Sequence, residues 1–247
     1  TDAMKAIKQA NKDVDDPGRA YSGADHCDRN PGVSNADALR NAGRRVKDLK
    51  QQAIAAINAC TPEGVEEALI AMGEALHTIQ DFYSHSNYAF LSDGDQAAAK
   101  AAFDDPDNPN KPVPDSVKIT GYDGDPNKSL YDRFNPKDEN GNPDPYPHGL
   151  YWGRHLDVAP WPWPFGGLTP GDGEKPVTRN GVTKPAFEWA MEAAQNHSTE
   201  FIDQIIAAVG QAKWDAKFLN YEFPPSLPDG DQDGEPDHGL LDEEHAR

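Results

Sequence analysis

The stretch Thr61–Asn87, TPEGVEEALIAMGEALHTIQDFYSHSN, decides the fold class of this chain. Val65, Leu69, Met72, Leu76 and Ile79 recur at three- and four-residue steps, the period of a helix with one buried face. Thr61 suits the N-cap. Pro62 suits the first helical position, where no N–H is needed. Glu63, Glu66 and Glu67 put negative charge near the positive end of the helix dipole. The third helical position is Gly64, so a full capping box is absent. The predicted helix runs from Pro62 to about His85.

His77, Asp81 and His85 recur along it every four residues. Four residues turn a helix by about 400°, so successive side chains are offset by only about 40° and share one face over about 12 Å. Leu76, Ile79 and Phe82 hold the other face in the core, and Glu74 lies one turn before His77. Imidazole and carboxylate at this spacing present ligands to zinc or a similar ion. The middle carboxylate has two oxygens and can bridge two ions. A pair of metals suits phosphodiester chemistry, activating water and neutralising phosphoryl charge. The bland alternative is a solvated helix face with two ordinary histidines.

Working outward, three more helices are predicted. Ala3, Met4, Ile7, Ala10 and Val14 mark Asp2–Val14, stopped by Asp15-Asp16-Pro17-Gly18. Leu39, Ala42, Val46, Leu49, Ala53 and Ile57 mark Asn35–Ala59, with Ser34 or Asn35 as cap. Phe187, Ala190, Ala194, Phe201, Ile205 and Val209 mark a helix from about Lys184 to Gly210. From residue 104 the periodicity disappears into a long segment thick with Asp, Asn, Pro and Gly. Only Val117–Thr120 reads as a strand there. The expectation is an all-α helical bundle over residues 1–222, with a loop insertion at about 104–183 and an acidic, loosely ordered tail at 223–247.

The chain has 247 residues, with 23 Lys and Arg against 42 Asp and Glu, a formal charge of -19. That balance excludes a broad basic surface for nucleic acid and a polybasic membrane anchor. Pro (22) and Gly (21) exceed average usage, which fits a compact core with long irregular segments. No stretch approaches the roughly 20 apolar residues of a membrane span. The first residue is Thr1 rather than Met, so the chain is expected to be processed or excised from something larger, and a secreted or extracytoplasmic location is expected.

A disulfide between Cys27 and Cys60 meets a geometric objection. An unbroken helix from 35 to 59 separates its ends by roughly 37 Å. Residues 28 to 34 span at most about 24 Å. Bridged Cα atoms lie within about 7 Å. Two free thiols are expected, Cys27 being a buried free Cys or, beside His26, a metal ligand.

Further ligands are sought outside the central helix. His26-Cys27-Asp28, with Asp25 adjacent, lies in the loop before the second long helix and reads as a ligand loop or a capping loop. His197 and Glu200 are at i and i+3, a usable ligand pair or a core histidine with a solvated Glu. His148, His155 and Asp157 lie in the aromatic loop and are candidates to complete or cover a site. His238 and His245 in the acidic tail read as solvated. Trp161-Pro162-Trp163-Pro164-Phe165 is an apolar strip that either packs across the helices or meets a lipid interface or substrate. Asp229, Asp231 and Asp233 resemble the first half of an EF-hand loop, so calcium is a candidate there, although the twelfth position is Leu240 rather than Glu.

The run Ala75–Asn87 resembles the signature of the Het-C (heterokaryon-incompatibility C) family and, more distantly, the ligand helix of zinc-dependent phospholipase C and single-strand nucleases. His26-Cys27-Asp28 matches a His-x-Asp element preceding a long helix. The resemblance covers about half the chain. It implies a zinc phospholipase C-like helical fold around one to three zinc ions. His77 would bind one zinc, Asp81 would bridge two and His85 would bind another. His26 and Asp28 would complete the first, and His197 with Glu200 would stand for the paired His and Glu of the later helix. The phospholipase and nuclease patterns also place a histidine early in the chain. Here no histidine precedes His26.

The expected function is a phospholipase C-like phosphodiester hydrolase acting on phospholipid head groups through a metal-bound hydroxide. Asp81 holds the metals, and Asp28 orients or deprotonates the water. It would meet a membrane surface transiently and have no stable nucleic-acid partner. The alternatives are a non-catalytic, metal-stabilised interaction or toxin-like domain, and a single-strand nuclease.

Overall fold

The computed structural model describes residues 2–16, 18–121, 175–218 and 221. These are mostly helical: 66% of them lie in helices, beside one short two-stranded sheet. In chain order they form α1 (Asp2–Lys12), α2 (Asn35–Ala59), α3 (Pro62–Ser84), α4 (Asp93–Asp104), β1 (Pro176–Arg179), β2 (Val182–Pro185), α5 (Ala186–Val209) and α6 (Gln211–Phe218). The candidates His148, His155, Asp157, Trp161–Phe165, Asp229, Asp231, Asp233, His238 and His245 lie outside the described residues.

The three longest predicted helices begin and end within two residues of expectation, and for α2 and α3 the N-caps are explicit in the sequence. Ser34 Oγ accepts from the Asp37 N–H at 3.0 Å to start α2, and Thr61 Oγ1 accepts from the Gly64 N–H at 3.0 Å to start α3. Cys60 ends α2 in the left-handed conformation, at φ 60°. The α1 helix ends sooner than expected and tightens into a 3-10 turn over Asp13–Asp15.

The α3 helix is the axis of the molecule. It is buried along most of its length, and α1, α2 and α5 all pack against it. Leu69, Met72, Leu76, Ile79 and Phe82 are fully enclosed. Burying each such side chain contributes roughly 1.5–3 kcal/mol. The α1 helix approaches closely at Gly73, where an added Cβ would lie 2.5 Å from the Ile7 carbonyl oxygen and 2.6 Å from Ala10 Cβ. Two members of the expected apolar stripes face out instead: Met4 on α1 and Phe187 on α5 are more than a third exposed.

Three elements were not foreseen. The α4 helix carries an alanine-rich sequence, DGDQAAAKAAFD, so it forms by propensity and the Ser92 cap rather than by a stripe of large apolar residues. The β1–β2 hairpin corrects the far end of the expected loop insertion. Asn180 and Gly181, at φ 48° and 78°, make its two-residue turn, the pairing that hairpin twist favours. Arg179 at the end of β1 donates to the carbonyls of Ala89 (2.8 Å) and Leu91 (3.0 Å), clamping the hairpin to the α3–α4 connection. The short α6 follows Gly210 and buries Phe218.

The expected strand Val117–Thr120 is an extended strap rather than a sheet member. It makes isolated bridges, Ser86 to Ile119 and Arg29 to Gly121. Its Val117 and Ile119 side chains are buried. Both cysteines are free, Cys27 buried and Cys60 exposed, at the two ends of the region spanned by an unbroken α2. No helix among the described residues is long and apolar enough to cross a membrane.

Substituting Gly73→Ala raises helix propensity by only about 1 kcal/mol. Its Cβ would drive into backbone, and overpacking costs about 1–3 kcal/mol. The substitution is expected to lower the urea midpoint of unfolding; an unchanged or higher midpoint would show that α1 does not need this approach.

Candidate metal centre

The polar residues of α3 emerge from an apolar helix, so their surroundings must satisfy them. His77, Asp81 and His85 are each at most 5% exposed. The Asp81 Oδ2 atom lies 3.0 Å from His77 Nε2 and 3.2 Å from His26 Nδ1. Those two nitrogens are 3.1 Å apart. Asp15 Oδ1 lies 3.6 Å from His26 Nδ1 and 3.7 Å from His77 Nε2. Tetrahedral zinc with N and O ligands at about 2.1 Å has edges of about 3.4 Å. The five distances fall on both sides of that value. One proton can sit between two of these atoms; a cation can satisfy the lone pairs of all of them together.

The second edge of Asp81 faces His85. His85 Nδ1 lies 2.7 Å from the His26 carbonyl oxygen. A carbonyl only accepts, so Nδ1 carries a hydrogen and leaves Nε2 on the other side of the ring. That Nε2 faces Asp81 Oδ1 at 3.8 Å. The carboxylate therefore divides its oxygens between the His26–His77 pair and His85, the arrangement expected of a bridging ligand. Burial alone would raise the Asp81 carboxyl, but the charges of His77 and His85 and hydrogen bonds from His26 and His77 hold it well below the ordinary carboxylate range.

Asp28 stands behind His85. Its side chain is fully enclosed, Tyr21 Oη donates to Oδ2 at 2.6 Å, and Thr120 Oγ1 donates to Oδ1 at 2.5 Å. The Oδ1 atom also lies 3.2 Å from His85 Nδ1. A carboxylate behind a ligating histidine fixes ring orientation and tautomer. Tyr21 stacks on the His26 ring at 5.0 Å and 5°, so one phenol positions both loop residues. Between them Cys27 turns the chain at φ 48°. Burial first, then the Asp28 and Asp81 charges, raise its thiol well above the ordinary value.

Sequence reasoning missed Asp15. Its only local signal is an acidic pair before Pro17, which reads equally well as a helix stop. The packing of α1 at Gly73 carries its C-terminal turn to His77.

His197 and Glu200 do not join this cluster. His197 Nε2 donates to Asp104 Oδ1 at 2.8 Å, and Tyr83 Oη lies 3.0 Å from His197 Nδ1. Burial pushes the Tyr83 phenol up and keeps it protonated. Glu200 pairs with Lys100 at 2.8 Å, and Lys100 also reaches Asp104. These residues bind α3, α4 and α5 together through a polar latch.

No family model, curated protein or solved structure matches the chain.

The latch gives a pH signature. Burial works against the Asp104 charge, but His197 and Lys100 hold its carboxyl below the ordinary value of 3.8. A depressed folded pKa supplies stability that is present above 3.8 and lost as pH falls through the folded pKa. Asp104→Asn is expected to cost about 1–2 kcal/mol at neutral pH by urea unfolding. The gap from wild type should close as the pH is taken below 3.8. A gap independent of pH would assign the loss to packing alone.

Proposed function

We propose that this chain is a metal-dependent phosphodiester hydrolase of the Het-C and zinc phospholipase C kind, with the corresponding helical fold. One observation carries the proposal: His26 Nδ1, His77 Nε2 and Asp81 Oδ2 converge within 3.2 Å of one another, with Asp15 Oδ1 beside them. Two imidazole nitrogens with carboxylate oxygens and no thiolate fit zinc. Bound there, the metal would supply Lewis acidity and a water of lowered pKa.

The residues then have separate tasks. His26, His77 and Asp81 would hold the ion and leave a place for water on the side of Asp15, and His85 Nε2 with Asp81 Oδ1 would offer a second position. Asp28 works through His85 rather than on water, because its oxygens are occupied and enclosed. Asp15 lies at the solvent edge of the cluster. It is 47% exposed, so the cluster opens to solvent on that side, as a catalytic site requires and a closed structural site does not. The formal charge of -19 disfavours long nucleic acid and leaves a phospholipid head group, met transiently at a membrane surface, as the substrate class.

Zinc titration of the metal-free protein is expected to give saturable binding and a raised unfolding temperature. Asp81→Asn should weaken zinc binding by more than about 100-fold and abolish hydrolysis of a chromogenic phosphodiester. Hydrolysis at the wild-type rate by Asp81→Asn would overturn the proposal. Phosphatidylcholine vesicles and a short single-stranded oligonucleotide separate phospholipase from nuclease. Zinc-dependent stability without cleavage of any of these would make the domain a metal-stabilised interaction module.

A further inference from the structure

Arg19, Asp25, Arg45 and Glu74 form a closed ring of alternating charge beside the cluster. Arg45 Nε donates to Asp25 Oδ1 at 2.5 Å and Arg45 Nη2 to Glu74 Oε2 at 2.6 Å. Arg19 Nη1 donates to Glu74 Oε1 at 2.8 Å and Arg19 Nη2 to Asp25 Oδ2 at 3.4 Å. Each guanidinium spans two carboxylates, and each carboxylate uses both oxygens. The two acids are at most 17% exposed, which sets the ring apart from solvent-screened pairs such as Arg44–Asp107. Four segments meet in it: the turn after α1, the His26 loop, α2 and α3.

Three of the four members, Arg19, Asp25 and Glu74, lie within four residues of a metal-ligand candidate without being one. Asp25 precedes His26, and its carbonyl also accepts from Thr78 Oγ1 at 2.7 Å. Thr78 follows His77, and Glu74 precedes His77 by one turn. Arg19 lies four residues after Asp15, in a turn closed by its own N–H donating to the Asp16 carbonyl at 2.9 Å. The helix-borne donors His77 and Asp81 are fixed by α3 itself. Asp15, in the 3-10 turn after α1, and His26, in the loop before α2, are carried by other segments.

We infer that this ring is the positioning device that seats Asp15 and His26 against His77 and Asp81, so that metal affinity is set by two arginines that touch no metal. The inference rests on the metal reading above. It separates affinity from stability. Arg45 reaches two carboxylates through a planar fork, which a lysine ammonium reproduces in charge but not in geometry. Arg40, five residues earlier on α2, makes a comparable pair of bonds to the carbonyls of Pro106 (2.5 Å) and Lys111 (2.7 Å), away from the donors.

The test is competition titration of zinc against a chromophoric chelator, with urea unfolding of each metal-free protein. Arg45→Gln is expected to weaken zinc affinity about 10–100-fold, the range for lost outer-shell partners, and Arg45→Lys to recover part of it. Arg40→Gln should lower metal-free stability and leave zinc affinity unchanged. If Arg45→Gln does not fold, Glu74→Gln, which keeps the carboxylate's shape, carries the same expectation. Equal zinc affinity of the Arg45→Gln and Arg40→Gln proteins, with wild type binding zinc, overturns this inference alone. Failure of the wild type to bind zinc overturns it together with the metal reading.

Discussion

A carboxylate buried on the central helix α3 is the constraint around which the rest is arranged. Asp81 is 5% exposed, between Ile79 and Phe82, which are fully enclosed. An isolated charge in such surroundings costs far more than a folded domain can spare. It is tolerated because three imidazoles are brought to it, two from its own helix and one from a loop 55 residues earlier. Those imidazoles need fixing in turn. His85 is fixed by a carbonyl and by Asp28, His26 by the stacked Tyr21, and the His26 loop by the ion ring. Polarity at the core is thus satisfied in successive layers.

The parts of this arrangement that were legible in the sequence are those with a short-range signature. The bounds of α2 and α3 follow from Ser34, Thr61 and Pro62. The ladder of His77, Asp81 and His85 follows from the pitch of a helix. The absence of a Cys27–Cys60 bridge follows from the length of α2. In each case the deciding physics acts within a few residues or along one rigid rod.

What escaped depends on contacts between distant segments, or on a signal weaker than the one sought. The α4 helix has alanines where a stripe of leucines was looked for. Asn180-Gly181 is a strong turn signal, but it lies at the end of a segment dominated by irregular composition. Asp15 gains its place through the closeness of α1 to α3 at Gly73 and the ion ring that holds the turn after α1. The i, i+3 spacing of His197 and Glu200 is the same whether a helix offers them to a metal or to neighbouring helices. Their partners Asp104, Tyr83 and Lys100 decide between these uses, and no spacing within α5 reveals them. Asp28 likewise reads as a free acid until Tyr21 and Thr120 are seen to occupy it.

The strap at residues 117–121 has a consequence for how the molecule is assembled. Thr120 donates its hydroxyl to Asp28, 92 residues earlier, and its N–H to the carbonyl of His85 at 2.8 Å. Arg29 donates its own N–H to the Thr120 carbonyl at 2.8 Å. A nascent chain that has completed α3 already contains Asp15, His26, His77, Asp81 and His85, yet the groups that fix Asp28 and the end of α3 are still to be made. Loop closure of this length is slow compared with helix formation. The donors therefore reach their final orientation late in folding, and a chain cut before the strap would carry every ligand of the cluster without the brace that aligns them.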